Sequence, residues 1–261
     1  MKSSLIAYPL PPGAQAFSTT RQGGCSTGTY AWMNCTPYTG DDSDCVQRNQ
    51  ATLRSWLPGC RELILPRQTH STHCLEIDAP FLSLSADERQ EALQDIDALI
   101  TRLPGVCIAI STADCIPVLL YDTSHRAVAA VHCGWRGIVG GILPHTLAQM
   151  RQRYGSCGGD FHAFLGPGIS LQAFEVGPEV YDAFRQAHFP MPRISQWHPD
   201  TQHWHLDLPA ACHHQLAVFG LPDARIHHSR LCTYTHPDAF FSARRLGIRS
   251  GRILSGIYLS Y

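Results

Sequence analysis

His70, Cys115 and His132 each stand in a polar segment, punctuated by glycine or proline, at the end of an apolar run. One thiol with two imidazoles suits a catalytic zinc, which takes three protein donors and keeps a fourth position open. That position holds a water whose pKa the ion lowers, or a substrate oxygen that it polarises. The same side chains allow a metal-free chemistry in which Cys115 is the nucleophile and His132 its base. A buried cysteine flanked by hydrogen-bonded histidines is the purely structural alternative. Residue types alone leave all three open.

The elements that must position them begin with the stretch from Ser111 to Gly137. Two apolar runs, Ile116 to Tyr121 and Ala127 to Val131, flank the turn-forming set Asp122, Thr123 and Ser124. Paired as a hairpin, they bring Asp114-Cys115 and His132 to one end. Strand alternation points Cys133 to the side opposite His132. His70 arrives separately, after a short strand at Leu63 to Leu65 and the segment Arg67-Gln68-Thr69-His70-Ser71. His203-Trp204-His205 also puts two imidazoles on one strand face, a spacing that can ligate a metal but is often incidental. His213-His214 and His227-His228 diverge on a helix or strand and read as surface or core histidines.

The remaining pattern predicts helices at Cys45 to Trp56, Ser83 to Asp95, Gly140 to Tyr154, Pro178 to Gln186 and Leu208 to Phe219. Strands are expected at Phe17 to Thr20, Cys74 to Ile77, Ala98 to Thr101, Val106 to Ile110, Ala163 to Leu165, His203 to Leu206, Ala224 to His228 and Arg252 to Leu259. Trp135-Arg136-Gly137 and residues Met191 to Thr201 read as loops. Frequent hairpins without regular βαβ alternation favour an α+β fold: one layered domain, residues 1–261, with mixed β-sheets flanked by helices.

With 44% hydrophobic and 16% charged residues, the 261-residue chain has a globular composition and can bury a large core. A net charge of -1 with no basic run gives no nucleic-acid footprint. No apolar run approaches the roughly 20 residues that span a bilayer, so no membrane partner is expected. Lys2 and a short apolar piece are broken by Pro9, Pro11 and Pro12 before a signal core forms. The eleven cysteines are odd in number and lack any Cys-x-x-Cys pair; they read mostly as small buried hydrophobes in a reducing cytoplasm. The sequence carries no signal for oligomeric state.

Several motifs together resemble the YfiH-type laccase-domain family across essentially the whole chain. They are Thr19-Thr20-Arg21-x-Gly23-Gly24, Gln68-Thr69-His70-Ser71, Thr112-Ala113-Asp114-Cys115-x-Pro117, Val131-His132-x-Gly134-Trp135-Arg136-Gly137, Gly166-Pro167-x-Ile169 and Phe174-Glu175-Val176-Gly177. Cys232-Thr233-Tyr234 and Phe240-Phe241-Ser242-x-Arg244-Arg245 complete the resemblance. Departures from the usual pattern fall at Cys25, Cys35, Cys133 and Gly168, none of them one of the three donors. The resemblance implies a fold related to a bacterial deamidating toxin, and zinc, or copper in older assignments, held by His70, Cys115 and His132. It also implies small-molecule partners, purine nucleosides and phosphate. The implied reactions are phosphorolysis of adenosine, inosine, guanosine and methylthioadenosine, and deamination of adenosine. Other implied roles are peptidoglycan editing, which a cysteine-type hydrolase mechanism would suit, and copper-dependent polyphenol oxidation. Laccase chemistry needs a trinuclear copper cluster built from several His-x-His pairs, and only His203/His205 has that spacing.

For phosphorolysis, Arg21, Arg136 and Arg244 are the expected phosphate contacts, since guanidinium groups bind such anions bidentately. Arg136 could instead pair with Asp114 across the hairpin end. Asn34 and Gln68 are expected to hydrogen-bond base or ribose. Asp114 joins the catalytic set with Cys115, His70 and His132, and it or a histidine would shuttle protons in deamination.

Overall fold

The computed structural model describes residues 5–261, so Lys2 lies outside the described residues. Its centre is the predicted hairpin, formed by β7 (Ile116–Asp122) and β8 (Ala127–Cys133), paired antiparallel with Pro117 opposite His132. Every residue of both strands is buried, which explains why they read as continuous apolar runs instead of alternating ones.

Around the hairpin a six-stranded sheet forms in the order β13 (Ile226–His228), β9 (Phe161–Leu165), β7, β8, β5 (Ala98–Thr101) and β4 (Cys74–Glu76). A five-stranded sheet runs β1 (Leu5–Tyr8), β2 (Ala14–Thr19), β14 (Ile253–Leu259), β6 (Val106–Thr112) and β3 (Glu62–Ile64). Both mix parallel with antiparallel pairs, as β3 with β6 and β4 with β5 are parallel. The α+β expectation with mixed sheets is therefore met.

The period-2 alternation of the central strands decides the layering. Leu119, Tyr121, Val128 and Ala130 meet Ile108, Ile110 and Ile257 between the two sheets. Ile116, Val118, Leu120, Val131 and Cys133 face the opposite way, toward helices α4 (Trp135–Gly140), α5 (Ile142–Tyr154) and α8 (Leu208–Phe219). On the far side of the five-stranded sheet, Leu53 of α1 (Ser43–Ser55) packs with Phe17, Cys107 and Tyr258. Cys133 thus points away from His132, as alternation requires. Each fully buried leucine or isoleucine here is worth about 1.5–3 kcal/mol relative to exposure.

A third sheet, of β10 (Glu175–Val176), β12 (His203–Leu206) and β11 (Ser195–His198), packs against α6 (Pro178–Gln186). Smaller helices are α2 (Ala79–Ser83), α3 (Ala86–Ala92), α7 (Met191–Ile194) and α9 (Ala243–Leu246).

Two expectations are corrected. The stretch read as a loop at Met191 to Thr201 holds α7 and β11, whose proline and tryptophan residues masked them. Trp135-Arg136-Gly137 is helical and opens α4, which Gly141, with φ 84°, separates from α5, the helix expected from Gly140. Among the described residues all eleven cysteines are free, but five are buried, and Cys25 and Cys157 are exposed.

Candidate metal centre

The hairpin register places Cys115 immediately before β7 and His132 diagonally from it, on the face that looks between the two large sheets. His70 approaches from the loop after β3. The three donor atoms lie within 4.8 Å of one another, and Cys115 Sγ stands 3.6 Å from His70 Nε2. His132 is buried, Cys115 half-buried and His70 exposed, so the cluster opens to solvent on the His70 side.

Asp97, which precedes β5, organises the group, and the sequence reading did not select it. Its carboxylate accepts from His132 Nδ1 at 2.6 Å, from the backbone N–H groups of Thr69, His70 and Ser71 at 2.8–3.1 Å, and from Ser71 Oγ at 2.8 Å. One fully buried carboxylate therefore orients one imidazole directly and holds the loop carrying the other. A carboxylate oriented against a ligating histidine fixes the tautomer and presents Nε2 to the ion. The legible signal was an aspartate directly before the wholly apolar run Ala98-Leu99-Ile100.

Electrostatics follow from these contacts. Burial raises the Cys115 thiol, but the His132 and His70 imidazoles outweigh it and bring the pKa down to about 6. Burial lowers His132, yet the Cys115 thiolate and the Asp97 carboxylate raise it to about 9. Asp97 itself would be raised by burial, but its bond to His132 and the loop N–H groups take it to about 2. The backbone is strained at this centre: His70 has φ 65° and Asp114 φ 85°, both left-handed for non-glycine residues.

The donors fit a metal. Sulfur plus two imidazole nitrogens is a zinc-type set, and the open side leaves a position for a further ligand. Gly134 keeps the space clear: a Cβ there would lie 2.5 Å from His70 Cδ2 and 3.1 Å from Cys115 Sγ.

A cavity of about 1010 Å³ opens over the cluster, lined among others by Tyr30, Tyr38, Trp135, Phe174, Arg244 and Arg252. Of the expected substrate contacts, Gln68 and Arg244 line it. Gln68 bonds Ser111 at both ends of its carboxamide, through Nε2 to the carbonyl at 2.9 Å and from the backbone N–H to Oε1 at 2.8 Å. Arg244 lies over Phe174 and donates to the Glu175 carbonyl at 3.0 Å.

Arg21, Asn34 and Arg136 are not among the lining residues. Arg21 donates to the carbonyls of Ala31 and Pro237 at 2.6 and 2.8 Å and lies over Phe241, so it ties loops together. Asn34 is fully buried; its amide donates to Asp41 at 2.9 Å and its Oδ1 accepts from the backbone N–H of Arg252 at 3.1 Å. Arg136 is exposed and stacks on Trp135, 4.2 Å from the ring centroid, instead of meeting Asp114. The Asp114 carboxylate accepts from Thr233 Oγ1 at 2.6 Å and from the Arg244 backbone N–H at 2.7 Å. With both oxygens engaged, it anchors the segment carrying Arg244 at the cavity wall. Trp135 was expected in the wall from its motif; Arg252, Tyr30, Tyr38 and Phe174 were missed because they converge only through long-range packing.

The chain is 54% identical over 246 residues to a purine nucleoside phosphorylase of Bacteroides thetaiotaomicron, covering 93% of this chain and 90% of that protein. It is 42% identical over 247 residues to adenosine deaminase RL5 of an unknown prokaryotic organism, covering 94% of each. The crystal structure of YlmD from Geobacillus stearothermophilus superposes with a TM-score of 0.91 at 30% identity, over 100% of this chain and 98% of that one. The family described as multi-copper polyphenol oxidoreductase laccase matches residues 15–260. By that match over nearly its whole length, the chain belongs to that laccase-domain family.

Proposed function

We propose that the chain is a zinc-dependent purine nucleoside enzyme that cleaves adenosine, inosine, guanosine and methylthioadenosine with phosphate and deaminates adenosine. The observation carrying this reading is the His70, Cys115 and His132 donor set opening on a cavity walled by arginine and aromatic side chains. The names of the two relatives support its purine nucleoside part. The free thiols support work in a reducing cytoplasm.

Zinc, when bound, would supply a Lewis acid beside the reacting centre. The chain's own residues do the rest. Phosphorolysis needs a dianion held against a ribosyl group that becomes cationic, and Arg244 and Arg252 offer positive charge at the cavity wall. Trp135 and Phe174 offer aromatic faces against which a purine can stack. Asp114 positions Arg244 through its backbone, and Gln68 holds the strand end at Ser111.

A second reading makes Cys115 the nucleophile of a metal-free hydrolase, which would suit peptidoglycan editing. It draws on the Cys115 thiol, lowered by the His132 imidazole that would serve as base and by His70, whose Nε2 lies 3.6 Å away. Copper-dependent polyphenol oxidation, although it is the family's description, would need a trinuclear cluster, and no group of converged donors among the described residues holds more than two histidines. The groups whose donors converge are His70/Cys115/His132 and Asp122/His125/Asp160.

Protein purified without added metal decides between the two. One zinc equivalent that is lost in Cys115→Ser, together with phosphate-dependent release of hypoxanthine from inosine, supports the first reading. Metal-free protein with rapidly alkylated Cys115 and no phosphorolysis would overturn it in favour of the second.

A further inference from the structure

The three-stranded sheet carries a histidine cluster that the site above does not use. Register pairs Glu175 of β10 with His205 of β12, and on β11 pairs Gln196 with His205 and His198 with His203. By alternation Glu175, His198, His203 and His205 share one face, while Trp204 stacks on Tyr181 of α6 from the other.

His205 is 6% exposed, and its Nδ1 lies 3.0 Å from the carbonyl of Leu171. A carbonyl can only accept, so Nδ1 carries the hydrogen and a neutral ring leaves Nε2 as a bare lone pair. That Nε2 is buried without a hydrogen-bond partner. The Nε2 of His198 is in the same condition, and the two rings stack with centroids 3.9 Å apart. A nitrogen lone pair shut away from water and from any donor is costly. Two such nitrogens in one stack, among few orphaned side-chain atoms in the described residues, call for a common explanation.

The third member is Glu175, whose Oε2 lies 3.7 Å from His205 Nε2. Donors about 2.0–2.2 Å from one tetrahedral ion stand roughly 3.3 Å from each other, so this pair is within half an ångström of a shared ion. A backbone carbonyl on the far nitrogen is also the usual support for a ligating histidine.

We propose that Glu175, His198 and His205 form a second metal site, for a divalent late transition ion such as zinc, on this face of the small sheet. His205 and Glu175 define the ion's position, and the His198 ring pivots out of its stack to bring Nε2 to it. His203, at the exposed rim with Nδ1 3.9 Å from Glu175 Oε1, stands beside the carboxylate ligand. The ion would clamp β10, β12 and β11 together. Two imidazoles and a carboxylate, without thiolate, distinguish this site chemically from the Cys115 centre.

Equilibrium dialysis of the metal-stripped full chain against zinc, followed by elemental analysis, tests the proposal. Cys115→Ser is expected to keep one equivalent, and Cys115→Ser with His205→Gln to keep none. Glu175→Gln, on a half-exposed side chain, guards against a folding defect and should weaken the retained equivalent at least tenfold. Cobalt(II) in Cys115→Ser should give a visible spectrum without thiolate charge transfer, abolished by His205→Gln. If Cys115→Ser binds no zinc or cobalt, or if His205→Gln leaves its binding unchanged, the second site does not exist. Either result leaves the Cys115 centre to be judged by its own test.

Discussion

Asp97 Oδ1 lies 2.6 Å from Nδ1 of His132, and the same carboxylate receives the backbone N–H of His70. Two donors separated by 62 positions in the chain thus depend on one side chain outside the donor set. Asp97→Asn is nearly isosteric but cannot accept at both ends of its side chain. It is expected to bind zinc roughly 10–100-fold more weakly, the usual cost of losing such a partner. Competition with a chelator measures this, and retention equal to wild type would remove Asp97 from the centre.

His70→Ala and Cys115→Ala are each expected to abolish inosine phosphorolysis while leaving the far-ultraviolet circular dichroism spectrum intact. Neither side chain belongs to the hydrophobic core, so the fold does not require them. Phosphorolysis persisting in either variant would exclude a mechanism centred on the trio.

Gly134→Ala adds one methyl group where His70 Cδ2 is 2.5 Å away. The backbone there, φ -76° and ψ 161°, suits alanine, so the expected loss is in metal retention and activity, not in folding. Elemental analysis beside a melting curve separates the two. Full zinc content would show that the His70 loop yields without cost.

Metal entry should release a proton. With Cys115 lowered to about 6 and His132 raised to about 9, the metal-free pair at pH 7.5 is thiolate and imidazolium. Zinc on His132 Nε2 displaces that proton, so about one should leave per zinc bound at this centre between pH 6 and 9. Apparent affinity should then rise about tenfold per pH unit across the window and flatten above it. Calorimetry in buffers of different ionisation enthalpy, performed on His205→Gln, counts the protons. A count near zero at pH 7.5 would contradict the ion pair.

The arginines should separate by location. Arg244→Ala is expected to raise the phosphate KM roughly tenfold, the scale of one charge-assisted contact. Arg136→Ala should change it less than about twofold. Arg21→Ala, which removes bonds to Ala31 and Pro237, should lower Tm by several degrees instead. An Arg136→Ala defect larger than that of Arg244→Ala would relocate the phosphate site.

Much of this was legible in the sequence. The unbroken apolar runs of β7 and β8 announce a hairpin buried on both faces, and its ends announce Cys115 and His132. The α4 helix was not legible because Gly134, Gly137 and Gly140 leave it no apolar period to read. β11 was hidden for a related reason, since Pro190 and Pro192 suggest a loop just before it. Arg21 sits in a motif segment yet bonds loop carbonyls, and Asn34 bonds the Asp41 carboxylate and the Arg252 backbone, which residue type cannot reveal. Arg252 reaches the cavity because β14 lies between β2 and β6, a pairing across more than a hundred residues.

The donor trio and the two arginines proposed for phosphate fall on separate parts of the chain. His70, Cys115 and His132 all hang from β7, β8 and the residue before β5, whereas Arg244 and Arg252 come from the last eighteen residues. The two halves meet at Asp114, whose carboxylate holds the Arg244 backbone. On the proposed reading, changes near the C-terminus would therefore retune the hold on phosphate while the donor trio stays untouched. Within such a scaffold, anion affinity would drift more easily than the donor set.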